Sequence, residues 1–267
     1  MQWKNREVVN NLMKHRNQTL MSRMAIGYIL VFLLCPLTSI ASTYEEPIEY
    51  GQVEVDPWEG YNRAIFSFNE TLDQYMFRPI AVGYKTVMPS IIDKGVTNFF
   101  GNIADVISIS NSLFQAKGGQ AIELTTRVMF NTTFGIGGFF DVSTSFGLEK
   151  KKEDFGQTLA VWGVGSGPYV VLPFLGPSTI RDTSGIVVDI FLDPQFYHSE
   201  SLGAFVAKKT IWFIDLRADL LASENLIMGD KYTFIRNAYV QHRDFLINDG
   251  VVDDPFADES FEDFDDF

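Results

Sequence analysis

The chain has 267 residues, a formal net charge of −13, 24 phenylalanines and a single cysteine, Cys35. The acidic balance argues against nucleic acid as a partner, and one cysteine excludes an intramolecular disulfide and a thiolate metal site. Mean hydropathy is slightly positive, although no apolar run approaches the ~20 residues that cross a bilayer; lipid contact and a generous core both remain open.

Residues 1–41 read as an export signal. Lys4, Arg6, Lys14, Arg16 and Arg23 precede the apolar run Met24 to Leu34, the charge and length pattern of a secretory segment. Ser39-Ile40-Ala41 offers a cleavage site that starts the mature chain at Ser42. Alternatively Cys35 becomes a lipidated N-terminus, for which Leu34 is a poor preceding residue, and an uncleaved anchor is a third possibility. Without these 41 residues the chain keeps 226 residues, with 16 basic (21 less 5) and 33 acidic (34 less 1), enough for one domain. Residues 42–55 form a polar linker.

The domain opens at Asp56-Pro57-Trp58-Glu59, read as N-cap, first helical residue and capping-box partner. Trp58, Tyr61, Ile65, Phe68, Leu72 and Tyr75 recur at helical spacing, and Pro79 ends or kinks this helix. A second helix stops before Pro89. Ser90 is expected to cap a third, with Asp93 at N3 and a break at Gly101-Asn102 before a short helix from Val106 to Phe114. Asn98 and Asn102, one turn apart among Phe99 and Phe100, either face solvent or form a polar strip in an apolar surface.

The stretch 118–141 organises the domain. Its helical part, Gln120 to Phe134, spans about 22 Å, carries Phe130 and Phe134, and leaves few polar positions, Arg127 and Asn131 among them. It ends in Gly135, Gly137 and Gly138. Such a helix is either a buried core element or one that enters a membrane from one side. Tyr169 to Leu172, bracketed by Pro168 and Pro173, is expected to be extended loop. Gly163-Val164-Gly165-Ser166-Gly167-Pro168 lacks the strand–helix setting of a dinucleotide fingerprint and the spacing of a hydrolase elbow, which leaves a tight turn. Thr179 and Asp182 form a capping box for the next helix. Lys208 and Lys209 lie in a helix over 202–221, either balancing Asp215 and Asp219 or meeting an anionic ligand, and Asp230 caps the last helix. The tail 251–267 holds eight acidic residues and no basic one, the composition of a disordered segment. His198 and His242 have no metal-ligand spacing, and no acid/base constellation stands out, so no cofactor, metal or enzymatic activity is expected.

Several motifs occur together in order: Asp56-Pro57-x-Glu59-x-x-Asn62-Arg63, Asn98-Phe99-x-Gly101-Asn102, Thr126-Arg127-x-x-x-Asn131, Gly135-x-Gly137-Gly138-x-x-Asp141, Phe155-Gly156-Gln157-Thr158-Leu159, Gly163-x-Gly165-x-Gly167-Pro168-Tyr169-x-x-Leu172-Pro173, Arg181-Asp182 and Tyr239-x-Gln241-x-x-Asp244-Phe245. This set, spanning 56–250, resembles the MlaA (VacJ) family of outer-membrane phospholipid-transport proteins. The resemblance implies an all-α, ring-shaped domain in the periplasmic leaflet of the outer membrane. It also implies a channel taking phospholipid from the outer leaflet to a soluble periplasmic carrier protein, and association with a trimeric porin. Asn98, Arg127, Asn131, Lys208 and Lys209 are then candidates for the channel or headgroup. Gly135, Gly137 and Gly138 are candidates for a gating loop, and Phe99, Phe100, Phe130 and Phe134 for the membrane face. Arg127 would either meet a phosphate or be held by Asp141. The family's lipid anchor would fall on Cys35. A porin-bracing protein and a lipid-modifying enzyme are the rival readings.

Overall fold

The computed structural model describes residues 56–227 and 229–251. The signal, Cys35, the linker and the acidic tail beyond Val251 lie outside the described residues. The domain is helical, as its period-3.6 patterning demands, with one two-stranded hairpin.

Helix α1 (Glu59–Leu72) passes through a π-helical turn (Asp73–Phe77) into α2 (Arg78–Val87). Pro79 therefore does not end the helical run; it follows directly on the π-helical turn, at the second position of α2. Asp56 is not an N-cap. Trp58 holds that position without a side-chain cap, and Asp56 instead accepts from Asn62 Nδ2 at 2.7 Å and from the Tyr232 hydroxyl.

Helix α3 runs unbroken from Ser90 to Phe114. The expected break at Gly101-Asn102 is absent because the glycines serve close packing. A Cβ at Gly95 would lie 2.1 Å from the Phe139 ring, and one at Gly101 would lie 2.2 Å from Lys150 Nζ. Ser90 makes no cap bond, and Asp93 pairs with Lys85 at 2.7 Å. Helix α4 (Gly118–Thr133) returns along α3 and ends in a turn with Ile136, Gly137 and Gly138 at positive φ. After a short 3₁₀ turn (Ser143–Phe146), α5 (Phe155–Val161) follows.

Tyr169–Leu172 (β1) is not loop: it pairs antiparallel with Gly176–Thr179 (β2), with Val171 opposite Pro177. The outer edge of β1 is closed by side chains of α1. Asn62 Nδ2 donates to the Tyr169 carbonyl (3.1 Å), and Asn62 Oδ1 accepts from the Val171 amide (2.8 Å). Asn69 does the same for the Leu172 carbonyl and the Phe174 amide, both at 2.9 Å. Seven helical residues rise about 10.5 Å and three strand residues about 10 Å, so the two amides match the strand's repeat and stand in for a third strand.

Helix α6 (Ile180–Leu192) is capped by Thr179, which accepts from the Asp182 amide at 3.1 Å. Then come α7 (Pro194–His198), α8 (Leu202–Asp219), a 3₁₀ segment (Leu220–Leu226) and α9 (Lys231–Ile247). Asp230 occupies the N-cap position of α9 without a capping bond; it takes Arg63 and Thr233 instead. Two small apolar clusters anchor the fold: Phe155, Leu159 and Val188, and Tyr169, Val171 and Tyr232.

Candidate functional site

Burial in this domain is inverted relative to a water-soluble globule. Buried polar residues outnumber buried apolar ones, while large apolar side chains stand exposed on nearly every helix. On α4 and its turn, Ile122 is 70% exposed, Phe134 67% and Ile136 74%. Ile91, Ile92 and Phe99 add to this on α3, and Val206, Ile211 and Leu216 on α8. Exposed apolar surface on this scale marks an interaction or membrane surface. Among the described residues no helix is long and apolar enough to cross a membrane.

Among the polar residues turned inward are two ionic junctions that hold charged motif residues. Between α3, α4 and the following loop, Arg127 is 1% exposed. It donates to Asp141 at 3.0 Å and to the Leu148 carbonyl, and lies 3.8 Å from Asp105. Asn131 donates to Asp141 at 3.1 Å and accepts from the Ser143 amide and hydroxyl. Burial pushes Asp141 up, but bonds from Thr144, Arg127 and Asn131 outweigh it and hold the carboxyl below its ordinary value. Asp105 is raised by burial although Lys150 and Arg127 pull the other way.

The second junction joins α5, α6 and α9. Arg243 bonds Asp154 (3.0 Å) and Asp182 (2.9 Å) through Nη2, and the Tyr239 hydroxyl donates to Asp182 at 2.7 Å. The helices meet so closely that a Cβ on Gly185 would lie 2.4 Å from the Gly156 nitrogen. Asp189 accepts from the Phe155 amide (3.0 Å) and Asn111 (2.9 Å). Burial drives it up to about 7 against those two bonds.

Of the sequence candidates, Arg127 and Asn131 thus lie in a buried network with internal partners rather than on an open wall. Asn98 donates to the Phe139 carbonyl at 3.2 Å. Gly135 and Gly138 are packed, a Cβ meeting the Phe140 carbonyl at 2.1 Å and Asn102 Cβ at 2.7 Å; Gly137 alone has open space. Phe99 and Phe134 are exposed, Phe100 is buried, and Phe130 packs between Phe134 and Phe146. Lys208 and Lys209 do not balance Asp215 and Asp219. Lys209 pairs with Asp193 at 2.5 Å. Asp215 takes Tyr84 and Thr97, and Asp219 takes Lys85.

One candidate set does converge. Phe99, Phe100, Ile103, Pro194, Gln195, His198 and Lys208 line a cavity of about 330 Å³ between α3, α7 and α8. Among the described residues Lys208 has no acidic partner; Nζ donates only to Ser199 Oγ, at 3.2 Å. An unneutralised ammonium beside an apolar hollow suits an amphiphile with an anionic group. Ile103, Gln195 and His198 were not legible as site residues, because only the fold of α7 against α3 brings them there.

Residues 54–246 match the family model described as MlaA lipoprotein. The Escherichia coli K12 protein "Intermembrane phospholipid transport system lipoprotein MlaA" is 37% identical over 203 residues, covering 74% of this chain and 80% of its own. The Haemophilus influenzae protein of that name is 32% identical over 202 residues, with 74% and 81% covered. A solved structure, reported as "Structural basis for maintenance of bacterial outer membrane lipid asymmetry", superposes with a TM-score of 0.65 at 35% identity. It covers 72% of this chain and 99% of its own. With its motifs placed at buried junctions, its apolar residues turned outward and a family match over most of its length, this chain belongs to the MlaA lipoprotein family.

Proposed function

We propose that this protein is a phospholipid-transport component of the Gram-negative outer membrane. It removes phospholipid from the outer leaflet and passes it to a soluble periplasmic carrier, which maintains lipid asymmetry. The observation that carries this reading is the inverted burial in a chain so similar to intermembrane phospholipid transport lipoproteins. Helices too short or too polar to span, yet apolar outward, suit a ring-shaped domain immersed in one leaflet from the periplasmic side, with a trimeric porin as neighbour. The ionic junctions stiffen such a ring from within, since a buried charge stays folded only when paired.

Within this reading the cavity at Lys208 receives the lipid. The ammonium meets the headgroup phosphate by a charge-assisted hydrogen bond, while Phe99 and Ile103 contact the glycerol end of the chains. No bond in the lipid is made or broken; transfer needs only that the site exchange one amphiphile environment for another.

The test is outer-leaflet phospholipid in cells lacking the protein, complemented at matched expression with wild type, Lys208→Glu or Lys208→Arg. Surface phospholipid is expected to rise on deletion, to fall with wild type and Lys208→Arg, and to stay high with Lys208→Glu. Full rescue by Lys208→Glu removes the headgroup role from this site. No change in surface phospholipid on deletion, together with co-purification of the wild-type protein with a porin, favours a porin-bracing protein instead.

A further inference from the structure

A second cavity, of about 310 Å³, lies on the other side of α8, walled by α1, the π-helical turn, the hairpin turn and the start of α9. Phe66, Leu72, Phe77, Phe174, Phe213 and Ile235 supply its apolar lining. Phe213 and Arg217 stand about 140–180° round α8 from Lys208 at ~100° per residue, so the two cavities do not share a wall face.

Their chemistry differs. Every charged group on the second rim is already paired: Arg217 with Asp73 at 2.6 Å and with Glu224, Glu224 also with Arg78 at 3.2 Å, and Lys231 with Glu70. Asn69, the side-chain amide of the lining, is spent on the hairpin edge. An anionic headgroup would have to displace these carboxylates from their cations. Water gains little in such a hollow, since it needs two to four polar partners. The hollow opens to solvent with its polar groups at the rim, so an occupant gains chiefly by removing the apolar lining from water, at about 25 cal/mol per Å².

We infer that this cavity is a binding site for a single alkyl chain, separate from the cation-bearing cavity at Lys208 and without a headgroup subsite. The inference rests on the phospholipid reading only for the origin of the chain. A phospholipid acyl chain and the chain of a free single-chain amphiphile present the same chemistry here.

The experiment uses the purified full chain in amphipol and two photoactivatable probes. One is phosphatidylcholine with a diazirine near the end of one acyl chain; the other is the methyl ester of the same diazirine fatty acid. Labelled peptides are located by mass spectrometry. Both probes are expected to label 66–77 and 213–220, and excess glycerophosphocholine, which lacks chains, should not compete. Leu72→Trp and Ile235→Trp each fill the cavity from a different wall, and each should cut this labelling at least tenfold with an unchanged melting curve; either one suffices if the other fails to fold. Labelling that persists in a folded filling variant, that is confined to outward-facing Ile122 and Met129, or that glycerophosphocholine displaces, overturns the site. Labelling by the methyl ester alone overturns phospholipid as the source. Loss of transport in Lys208→Glu with this labelling intact separates the present inference from the transport reading, because each can then fail without the other.

Discussion

Replacing Arg127 with alanine removes the one guanidinium that faces both Asp105 and Asp141. Asp105 is 1% exposed and already raised by burial; it keeps only Lys150, at 3.7 Å. Stranding a buried carboxylate costs about 3–5 kcal/mol. The carboxyl escapes part of that by taking a proton, and protonating an ordinary aspartate (pKa ~3.9) at pH 7 costs roughly 4 kcal/mol at 1.36 kcal/mol per pH unit. With Lys150 as partial compensation, the expected loss is about 3 kcal/mol at pH 7.5. The variant's Asp105 then has a folded pKa still further above its unfolded value. Its penalty should shrink as pH falls from 7.5 toward 5, where the folded state binds the proton more readily. Urea unfolding at both pH values measures this, with Arg127→Ala/Asp105→Asn as the partner variant, expected to recover about half the loss by removing the orphaned charge. Arg127→Ala with wild-type stability but no lipid transport would refute the reasoning, and would return Arg127 to the role of a phosphate ligand.

Three further outcomes follow from the same structure. Asp189, pushed up to about 7 by burial, has a folded pKa above its unfolded one, so its contribution makes the fold more stable as pH drops from 8 through 7 toward 4. Asp189→Asn should remove up to ~1.4 kcal/mol per pH unit from the slope over that window, read from unfolding midpoints at pH 5.5, 6.5 and 7.5; an unchanged slope contradicts the assignment. Asn62→Leu leaves the Tyr169 carbonyl and Val171 amide without their buried partner. It should cost about 2–4 kcal/mol and raise hydrogen exchange at Val171 more than at residues on α4. Gly135→Ala drives a Cβ into the Phe140 and Asn131 carbonyls and should destabilise by about 2 kcal/mol or more. Gly137→Ala meets no atom and should cost only ~1 kcal/mol for its positive φ. It is thus the variant of the three that tests loop rigidity in transport; equal losses at both positions would show the turn is not packed as described.

Much of the helical plan was legible because periodicity and punctuation are local. The stripe of α1, the stop before Pro89 and the Thr179 cap all rest on residues within a few positions of one another, whereas Gly118-Gly119, read as a separator, open α4 and the break falls at Gln115 to Lys117. Several errors arise where partners supplied by the fold outbid a side chain's local preference. Asp56 has a cap-forming side chain, yet it is taken by Asn62 one turn into α1 and by Tyr232 from the far end of the domain. Gly101 signals a break but serves instead to admit Lys150. The proline-bracketed Tyr169–Leu172 became a strand by pairing with Gly176–Thr179, and Asn62 and Asn69 complete its other edge from more than a hundred residues away.

The candidate site divides the same way. Residue types alone determined that the domain is acidic, helical, rich in outward-capable aromatics and free of recognisable metal or nucleotide motifs, and the ordered motifs carried the family. Which polar residues are structural and which are open was decided only in three dimensions. An arginine in a helix reads identically whether its guanidinium ends on a phosphate or on Asp141. Lys208 and Lys209 are neighbours in the chain, yet one is neutralised by Asp193 and the other is left beside an apolar cavity. Adjacent residues on a helix point about 100° apart, so their partners come from different elements, and only the packing of α3, α7 and α8 determines which charge stays available.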